Sequence, residues 1–187
     1  MSYKHNLPTT AMARIEARKF AEKQLANGYK EEAFYTYTSD KGVPIYWRMR
    51  LDHPTKDKWI RPLSLNGSKW ELKEPNFPNG KPLYRLHEIA ERTEETVWVV
   101  EGEKCADLLA DLGLTVTTSG SSTSAGSVDW SPLSSRNIII WRDNDEAGLG
   151  YAKEVTEKLL AFDCCVKWVD ISKLGWSVGS VGSDGVD

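Results

Sequence analysis

The sequence has few of the features that would place it in several large classes of protein. Its 187 residues include only three cysteines, Cys105, Cys164 and Cys165, with no CxxC or Cys/His spacing, so we expect reduced thiols and no structural zinc site. It has no apolar run long enough to cross a membrane and no signal-peptide core at its start, so we expect a cytoplasmic protein without membrane contact. A GxxxxGK[S/T] pattern is also missing, so we expect no helicase motor.

Charge is distributed unevenly along the chain, although the net charge is only −3. Residues 1–96 carry 17 Lys and Arg against 13 Asp and Glu, whereas residues 97–187 carry 7 against 14. Between Lys41 and Arg85 there are 10 basic and 4 acidic side chains. The first half is therefore suited to a polyanion, and the second half is suited to cations.

The first half of the sequence predicts a helix followed by antiparallel strands. Residues 9–27 are rich in Ala, Lys, Arg and Glu, which predicts a helix capped at Thr9 or Thr10 and ended at Asn27. Two β-rich runs, AFYTYT and PIYWRMR, flank the turn SDKG and predict a hairpin. Residues 52–82 contain five prolines, so we expect short strands and loops there rather than regular structure.

From Val97 onward the sequence alternates between strand and helix patterns. The runs VWVV, LTVTTS, NIIIWRD and CCVKWVDIS predict strands, while EKCADLLADLG and EAGLGYAKEVTEKLLAF predict helices. This alternation favours an α/β fold with a parallel sheet flanked by helices. We therefore predict a small basic α+β N-terminal domain over residues 1–92, an α/β domain over residues 93–172 and a flexible tail over residues 173–187.

Acidic residues follow the first and third of these predicted strands. Asp143 and Asp145 come after the run NIII, and residues i and i+2 of an extended chain project to one side. Glu101 follows VWVV, and the carboxyl ends of parallel strands share the edge where open α/β sheets bind ligands. If the two strands are neighbours, the three carboxylates meet and repel one another. We predict that Mg²⁺ or Mn²⁺ removes this repulsion, because such hard cations prefer oxygen ligands.

A structural explanation of the two aspartates stays open at this stage. Asp-x-Asp is common in turns, and Asp145 is well placed to cap the helix that begins near Glu146. The metal interpretation depends on Glu101, which is predicted independently on another strand.

Several segments together resemble the Toprim domain, the metal-binding fold shared by primases, topoisomerases and related nucleases. They are VVEGEKCADLL, TTSG, DWSPL and IIIWRDNDEAG with a long helix behind, and they span about residues 95–172. The closer similarity is to the primase-like proteins of phages and plasmids, in which a segment similar to AFYTYTSDKGVPIYWRMR precedes the Toprim domain. The resemblance implies a Toprim-type parallel sheet flanked by helices.

The resemblance also implies roles for individual residues. Glu101 would be a general acid/base or a metal ligand, and Asp143 and Asp145 would hold Mg²⁺ or Mn²⁺. Lys104 would contact a phosphate of the nucleotide. Three glycines would let the backbone approach this ligand or turn sharply: Gly102, Gly120 and Gly148.

The chain departs from the family pattern in two respects. Arg142 stands where primase-like relatives often have a proline before the aspartates. The usual upstream zinc-binding module and the helicase are missing. We therefore expect a helicase or another replication protein on a separate chain as a partner.

The basic first half is interleaved with aromatic residues. Cationic side chains neutralise phosphates, and flat rings stack on unpaired bases, so we expect single-stranded nucleic acid to bind here. In the run IYWRMR, Tyr46, Arg48 and Arg50 fall on one face of a strand, which we expect to be polar and exposed. The alternative is a small sheet with a solvated charged face and a core of tryptophans. The predicted nucleic-acid-binding residues are Arg48, Arg50, Lys56, Lys58 and Arg61.

The sequence thus favours a DNA primase-like enzyme that uses Mg²⁺ to join nucleotides on a single-stranded template, with Glu101, Asp143 and Asp145 as catalytic residues. A metal-dependent nuclease is one alternative, because the same acids can activate water to cleave phosphodiesters. A non-catalytic, phage-borne module that binds nucleic acid or protein, as an inhibitor or decoy, is the other. The short length and Arg142 favour this last alternative.

Overall fold

The computed structural model describes residues 8–173, which form two four-stranded sheets, one after the other along the chain. The tail expected over residues 173–187 lies outside the described residues, apart from residue 173. Within the described range, no helix has both the length and the apolar character needed to cross a membrane.

The N-terminal region contains two short helices and an antiparallel sheet in chain order. Its elements are α1 (Thr10–Phe20), α2 (Glu22–Ala26), β1 (Lys30–Thr38), β2 (Pro44–His53), β3 (Lys56–Asn66) and β4 (Lys69–Glu71). The helix predicted over residues 9–27 is confirmed as two segments that meet at Ala21. Thr9 caps α1, because its hydroxyl accepts a hydrogen bond from the Met12 amide at 3.2 Å.

The predicted hairpin is confirmed, whereas the prediction of short strands and loops over residues 52–82 is wrong for β3, which has 11 residues. A proline removes a backbone donor and is excluded from central strands. Pro62 is nevertheless accommodated because β4 pairs only with residues 64–66 of β3. At Pro62, β3 therefore has β2 as its only sheet neighbour.

The C-terminal region is a parallel sheet with helices, which confirms the α/β class. Its elements are α3 (Leu86–Glu91), β5 (Val97–Val100), α4 (Glu103–Asp111), β6 (Thr115–Thr117), β7 (Asn137–Trp141), α5 (Glu146–Leu160) and β8 (Cys165–Trp168). Single turns of 3-10 helix lie at Ala125–Ser127, Ser131–Leu133 and Ile171–Lys173. The four predicted strands and both predicted helices are present, and α3 is an additional helix.

The strand order β6-β5-β7-β8 places the first and third parallel strands side by side at the centre of the sheet. Val97 lies opposite Ile138, and Val100 lies opposite Trp141. The order reverses between β5 and β7, because the chain moves outward from β5 to β6 and then returns past β5 to β7. A reversal of this kind opens a crevice beyond the carboxyl ends of the two strands, where ligands bind in open α/β sheets.

A buried cluster joins the two sheets. Tyrosines from the N-terminal region, among them Tyr37 and Tyr46, pack in it with Val100 and Val116 of the parallel sheet. The rings of Tyr37 and Tyr46 are stacked with their centroids 4.4 Å apart. The domain boundary at residues 92 and 93 stays a prediction, but the two regions share this part of the core.

Candidate functional site

Glu101 lies at the carboxyl edge of the parallel sheet, directly after β5, and its carboxyl group is partly buried. Its Oε2 atom is buried and has no hydrogen-bond partner among residues 8–173. Burial raises the pKa of Glu101 above its ordinary value, and the negative charges of Asp143 and Asp145 raise it further. A hydrogen bond from Ser122 and the positive charge of Lys58 act in the opposite direction. A buried acceptor without a donor costs about 1–3 kcal/mol, a cost that a bound cation would remove.

Asp143 and Asp145 follow β7 in an exposed turn that leads into α5. The Oδ1 atom of Asp145 accepts a hydrogen bond from the Gly148 amide at 2.7 Å, so Asp145 is the N-cap of α5. The capping role that the sequence left open is therefore confirmed for Asp145. The guanidinium of Arg142 donates to the backbone carbonyl of Asp143 at 2.8 Å and so supports the same turn.

Two of the three predicted glycines occupy places where a side chain would not fit. A Cβ atom at Gly148 would lie 2.5 Å from the carbonyl oxygen of Asp143, so glycine lets α5 approach the aspartate turn. Gly120 has a φ of +101°, and its Cβ would collide with the guanidinium of Arg48. At Gly102, in contrast, no atom lies within 4 Å of a Cβ position. Gly120 and Gly148 therefore shape the surroundings of the acidic residues. Phosphate binding by the three glycines stays a prediction.

The loop after β6 is held by its own hydroxyl groups and by α5. The Ser124 hydroxyl donates to the carbonyl of Ser119 at 2.8 Å, and the Ser121 amide donates to the Ser124 hydroxyl at 3.0 Å. These bonds fix the loop that contains Ser122, which lowers the pKa of Glu101. A Ser/Gly-rich stretch such as this one does not reveal from the sequence which hydroxyls bond to one another.

Tyr151 of α5 is a supporting residue that sequence reasoning missed. Its buried hydroxyl donates to the carbonyl of Val100 at 3.1 Å and accepts from the Ser119 hydroxyl at 3.1 Å. One side chain therefore joins the end of β5, next to Glu101, to the loop after β6. Burial raises the pKa of Tyr151, so the phenol stays protonated and can donate. In the sequence, Tyr151 is indistinguishable from the other core residues of an amphipathic helix.

The prediction that Tyr46, Arg48 and Arg50 form an exposed polar face is wrong. Tyr46 is buried, and the Arg48 and Arg50 side chains are only 17% and 8% exposed. Arg50 makes two hydrogen bonds of 2.9 Å to Asp52, and Arg48 is paired with Glu103. Strand β2 is covered on both faces, because α1 packs on one side and the tyrosine cluster on the other. These two arginines are therefore not available as an open phosphate-binding surface.

The other predicted basic residues are accessible. Lys56, Lys58 and Arg61 are exposed along β3, and the Arg61 guanidinium lies 5.4 Å from the centroid of the Trp59 ring. The positive charge of Lys58 lowers the pKa of Glu101, so this lysine of β3 acts on the acidic edge. Lys104 lies in the first turn of α4, where its ammonium is 3.7 Å from Glu32. Contact of these side chains with phosphate or nucleic acid stays a prediction.

The acidic residues fit an open cation site better than a closed one. Among residues 8–173, no three His, Cys, Asp or Glu side chains are gathered into a ready-made metal site. The charges of Asp143 and Asp145 nevertheless raise the pKa of Glu101, whose buried Oε2 atom has no donor in the described part of the chain. Mg²⁺ normally keeps several waters and binds through one or two carboxylates, so it does not need a closed protein cage.

Comparisons with known proteins give no family for this chain. No protein-family model matches it, and no curated protein is similar to it in sequence. Its function is therefore inferred from the chemistry of these residues and from their place in the fold.

Proposed function

We propose that this protein is a Toprim-like enzyme of the phage and plasmid primase type, which joins nucleotides on single-stranded nucleic acid with the help of Mg²⁺ or Mn²⁺. The observation that supports the proposal most is the buried Glu101 oxygen that has no donor among residues 8–173, on a carboxyl group whose pKa is raised by burial and by the charges of Asp143 and Asp145. The residues follow the carboxyl ends of neighbouring parallel strands at the point where strand order reverses, which is the usual ligand-binding edge.

Three carboxylates have distinct tasks in this proposal. Asp143 and Asp145 hold the cation on the exposed side of the turn, and Asp145 also keeps α5 capped. A bound divalent ion polarises phosphoryl oxygens and lowers the pKa of an attacking hydroxyl. Glu101 either completes the ligand set or accepts the proton of that hydroxyl. Its raised pKa makes it a better proton acceptor than an ordinary carboxylate.

Basic residues around this edge place the polyanion. Lys56, Lys58 and Arg61 neutralise the phosphate backbone of the template along β3, because all three are exposed and the charge of Lys58 acts on Glu101. The Lys104 ammonium, which lies 3.7 Å from Glu32 in this structure, leaves Glu32 and contacts a nucleotide phosphate instead. A helicase or another replication protein is the expected partner on a separate chain.

Primer synthesis on a single-stranded template, with Mg²⁺ and nucleotides, tests the proposal. Asparagine replaces both aspartates, because Asn at residue 145 preserves the cap that Ala would remove. The Asp143→Asn/Asp145→Asn variant is expected to lose activity about 100-fold or more. Glu157→Gln removes an exposed carboxylate from α5, the helix that Asp145 caps. It serves as the matched control, and its activity is expected to be unchanged. Equal activity of wild type and the double variant would remove these aspartates from the mechanism.

The same preparation separates the nuclease from the primase. Single-stranded and double-stranded DNA are incubated with Mn²⁺ and without nucleotides, and the strands are sized on a denaturing gel. Intact DNA is expected. Cleavage that disappears in the double variant would support the nuclease over the primase, with hydrolysis of phosphodiesters at the same acidic residues.

A non-catalytic binding module is the second candidate function. It is favoured by the finding that the described residues hold no ready-made group of three metal ligands. Such a module would bind single-stranded nucleic acid or a protein partner without dependence on Mg²⁺ or Mn²⁺. Binding that is unchanged by a chelator, together with inactive wild type in both assays, would support it.

A further inference from the structure

Arg48 connects the N-terminal sheet to both chain segments that flank Glu101. Its guanidinium Nη1 is paired with the carboxylate of Glu103, at the start of α4. The same nitrogen donates to the carbonyl of Gly120, in the loop after β6, at 3.0 Å. Glu103 lies two residues after Glu101, and Gly120 lies two residues before Ser122.

The interior around this contact is built tightly. The Arg48 and Glu103 side chains are 17% and 5% exposed, and the Tyr37 hydroxyl donates to the same Glu103 oxygen at 2.8 Å. A Cβ atom at Gly120 would collide with Arg48 and would lie 2.9 Å from the Tyr37 hydroxyl. The guanidinium therefore has little room to occupy another position while both segments stay in place.

We propose that Arg48 is a positioning residue for the acidic edge, because one guanidinium fixes the start of α4 and the Gly120 loop, the two segments next to Glu101, and thereby orients Glu101. This inference rests on the proposed function in so far as the oriented group is a metal ligand or proton acceptor. Arg48 touches neither the cation nor the substrate. It acts through Glu103 and the Gly120 carbonyl, much as outer groups orient metal ligands elsewhere.

The experiment must remove the contact without leaving a buried charge. Arg48→Met alone leaves Glu103 buried without its cation, which is strongly destabilising. The triple variant Tyr37→Phe/Arg48→Met/Glu103→Met replaces the polar group by apolar side chains of similar size, an exchange that buried ion pairs often tolerate. Arg48→Lys keeps the charge on a shorter side chain and gives a second, conservative test. Arg50→Met/Asp52→Asn removes another arginine pair from the same strand and is the matched control.

Hydrogen exchange of the metal-free proteins tests the positioning role directly. In the triple variant we expect faster exchange in residues 101–104 and 118–124, with β7 and the control variant unchanged. Arg48→Lys is expected to show a smaller increase in the same two segments. Unchanged exchange in these segments in folded Arg48→Lys and in the folded triple variant would overturn the proposal. A cooperative melt that differs little from wild type separates local loosening from general loss of stability.

Calorimetric titration with Mn²⁺ tests the consequence for the site. The triple variant is expected to bind Mn²⁺ about tenfold or more weakly than wild type, and Arg48→Lys is expected to recover part of this loss. The control is expected to bind like wild type. Equal Mn²⁺ affinity of wild type and the folded triple variant would reduce Arg48 to a purely structural residue. Wild type that binds no Mn²⁺ would overturn the proposed function, while the metal-free exchange would still decide the positioning role.

Discussion

The two regions of the molecule differ in the sign of the charges that act on their buried or partly buried ionisable groups. At the junction with the N-terminal sheet, the buried cation Arg48 meets its counter-ion, Glu103. At the carboxyl edge of the parallel sheet, burial and the negative charges of Asp143 and Asp145 instead raise the pKa of Glu101. Opposite charges complete a packed interior, whereas like charges held together cost stability unless a cation binds between them. A carboxylate whose pKa is raised by burial and by like charges is a candidate member of a functional site.

Replacement of Arg48 by alanine is expected to have the largest effect on stability, because it removes the counter-ion of the buried Glu103 carboxylate. Glu103 would stay almost fully buried without its cation, and Gly120 would lose a donor. We expect the free energy of unfolding to fall by about 3–5 kcal/mol. Urea unfolding followed by tryptophan fluorescence measures it. A loss below about 1 kcal/mol, typical of an exposed ion pair, would show that the junction is solvated.

Gly148→Ala is expected to have a smaller effect, confined to the acidic edge. The new methyl group would lie 2.5 Å from the carbonyl oxygen of Asp143, so the turn or the helix has to move. We expect a loss of about 1–3 kcal/mol in unfolding free energy together with weaker Mn²⁺ binding.

Gly150→Ala is the matched control in the same helix, because no atom lies within 4 Å of its Cβ position. It is expected to stabilise the protein by about 0.5–1 kcal/mol, the helix-propensity difference between the two residues. A loss of similar size in both variants would mean that contact with the Asp143 turn does not explain the glycine.

Removal of one exposed cation from the basic strand is expected to change nucleic-acid binding rather than stability. Lys58→Gln should weaken binding of single-stranded DNA and lower the magnitude of the salt slope, log Kd against log salt, by about 0.7. Arg50→Met/Asp52→Asn, which alters an arginine already paired inside the protein, should leave that slope unchanged. Fluorescence anisotropy at several salt concentrations measures both. A slope that responds to the buried arginine and not to Lys58 would contradict the assignment of the two surfaces.

Glu101→Gln is expected to have a small effect on stability, with a defined pH dependence. Burial and the neighbouring aspartates raise the pKa of Glu101 above 4.5, so the folded state binds the proton more tightly than the unfolded state. Stability is therefore expected to fall as pH rises from about 4.5 through the raised pKa, and to stay level above it. Gln removes this loss, so at pH 7.5 the metal-free variant should exceed wild type by less than about 1 kcal/mol, because the site is partly solvated.

Urea unfolding at pH 4 and pH 7.5 in the presence of a chelator checks this dependence, with Glu157→Gln as the exposed control. A variant less stable than wild type at pH 7.5 would mean that the groups that stabilise the Glu101 carboxylate, Ser122 and Lys58, outweigh its burial and the like charges. The like-charge description of the acidic edge would then be wrong.

Much of the parallel region was predictable because its signals are local. Apolar runs bounded by polar residues predicted all four strands, and the succession of strands and helices predicted a parallel sheet. The position of Glu101 beside Asp143 followed from one assumption, the adjacency of the first and third strands, which the strand order confirms. A predicted strand order is therefore enough to assign these residues to one edge of the sheet.

The failures concern interactions between distant parts of the chain. Alternation in IYWRMR predicted an exposed face at Arg48, but the burial of that face depends on α4 and on the Gly120 loop, more than 50 residues away. Pro62 argued against a long strand, but β4 is too short to pair with that position of β3. Tyr151 gave no signal, because the hydroxyl that joins β5 to the loop looks like any core tyrosine.

The most direct test of the central claim is a calorimetric titration of the full chain with Mn²⁺ at pH 7.5. We predict saturable binding to wild type, about tenfold or more weaker binding to Asp143→Asn/Asp145→Asn, and wild-type affinity for Glu157→Gln. Wild type that binds no Mn²⁺, or a double variant that binds it as tightly as wild type, would contradict the claim that these carboxylates share a cation.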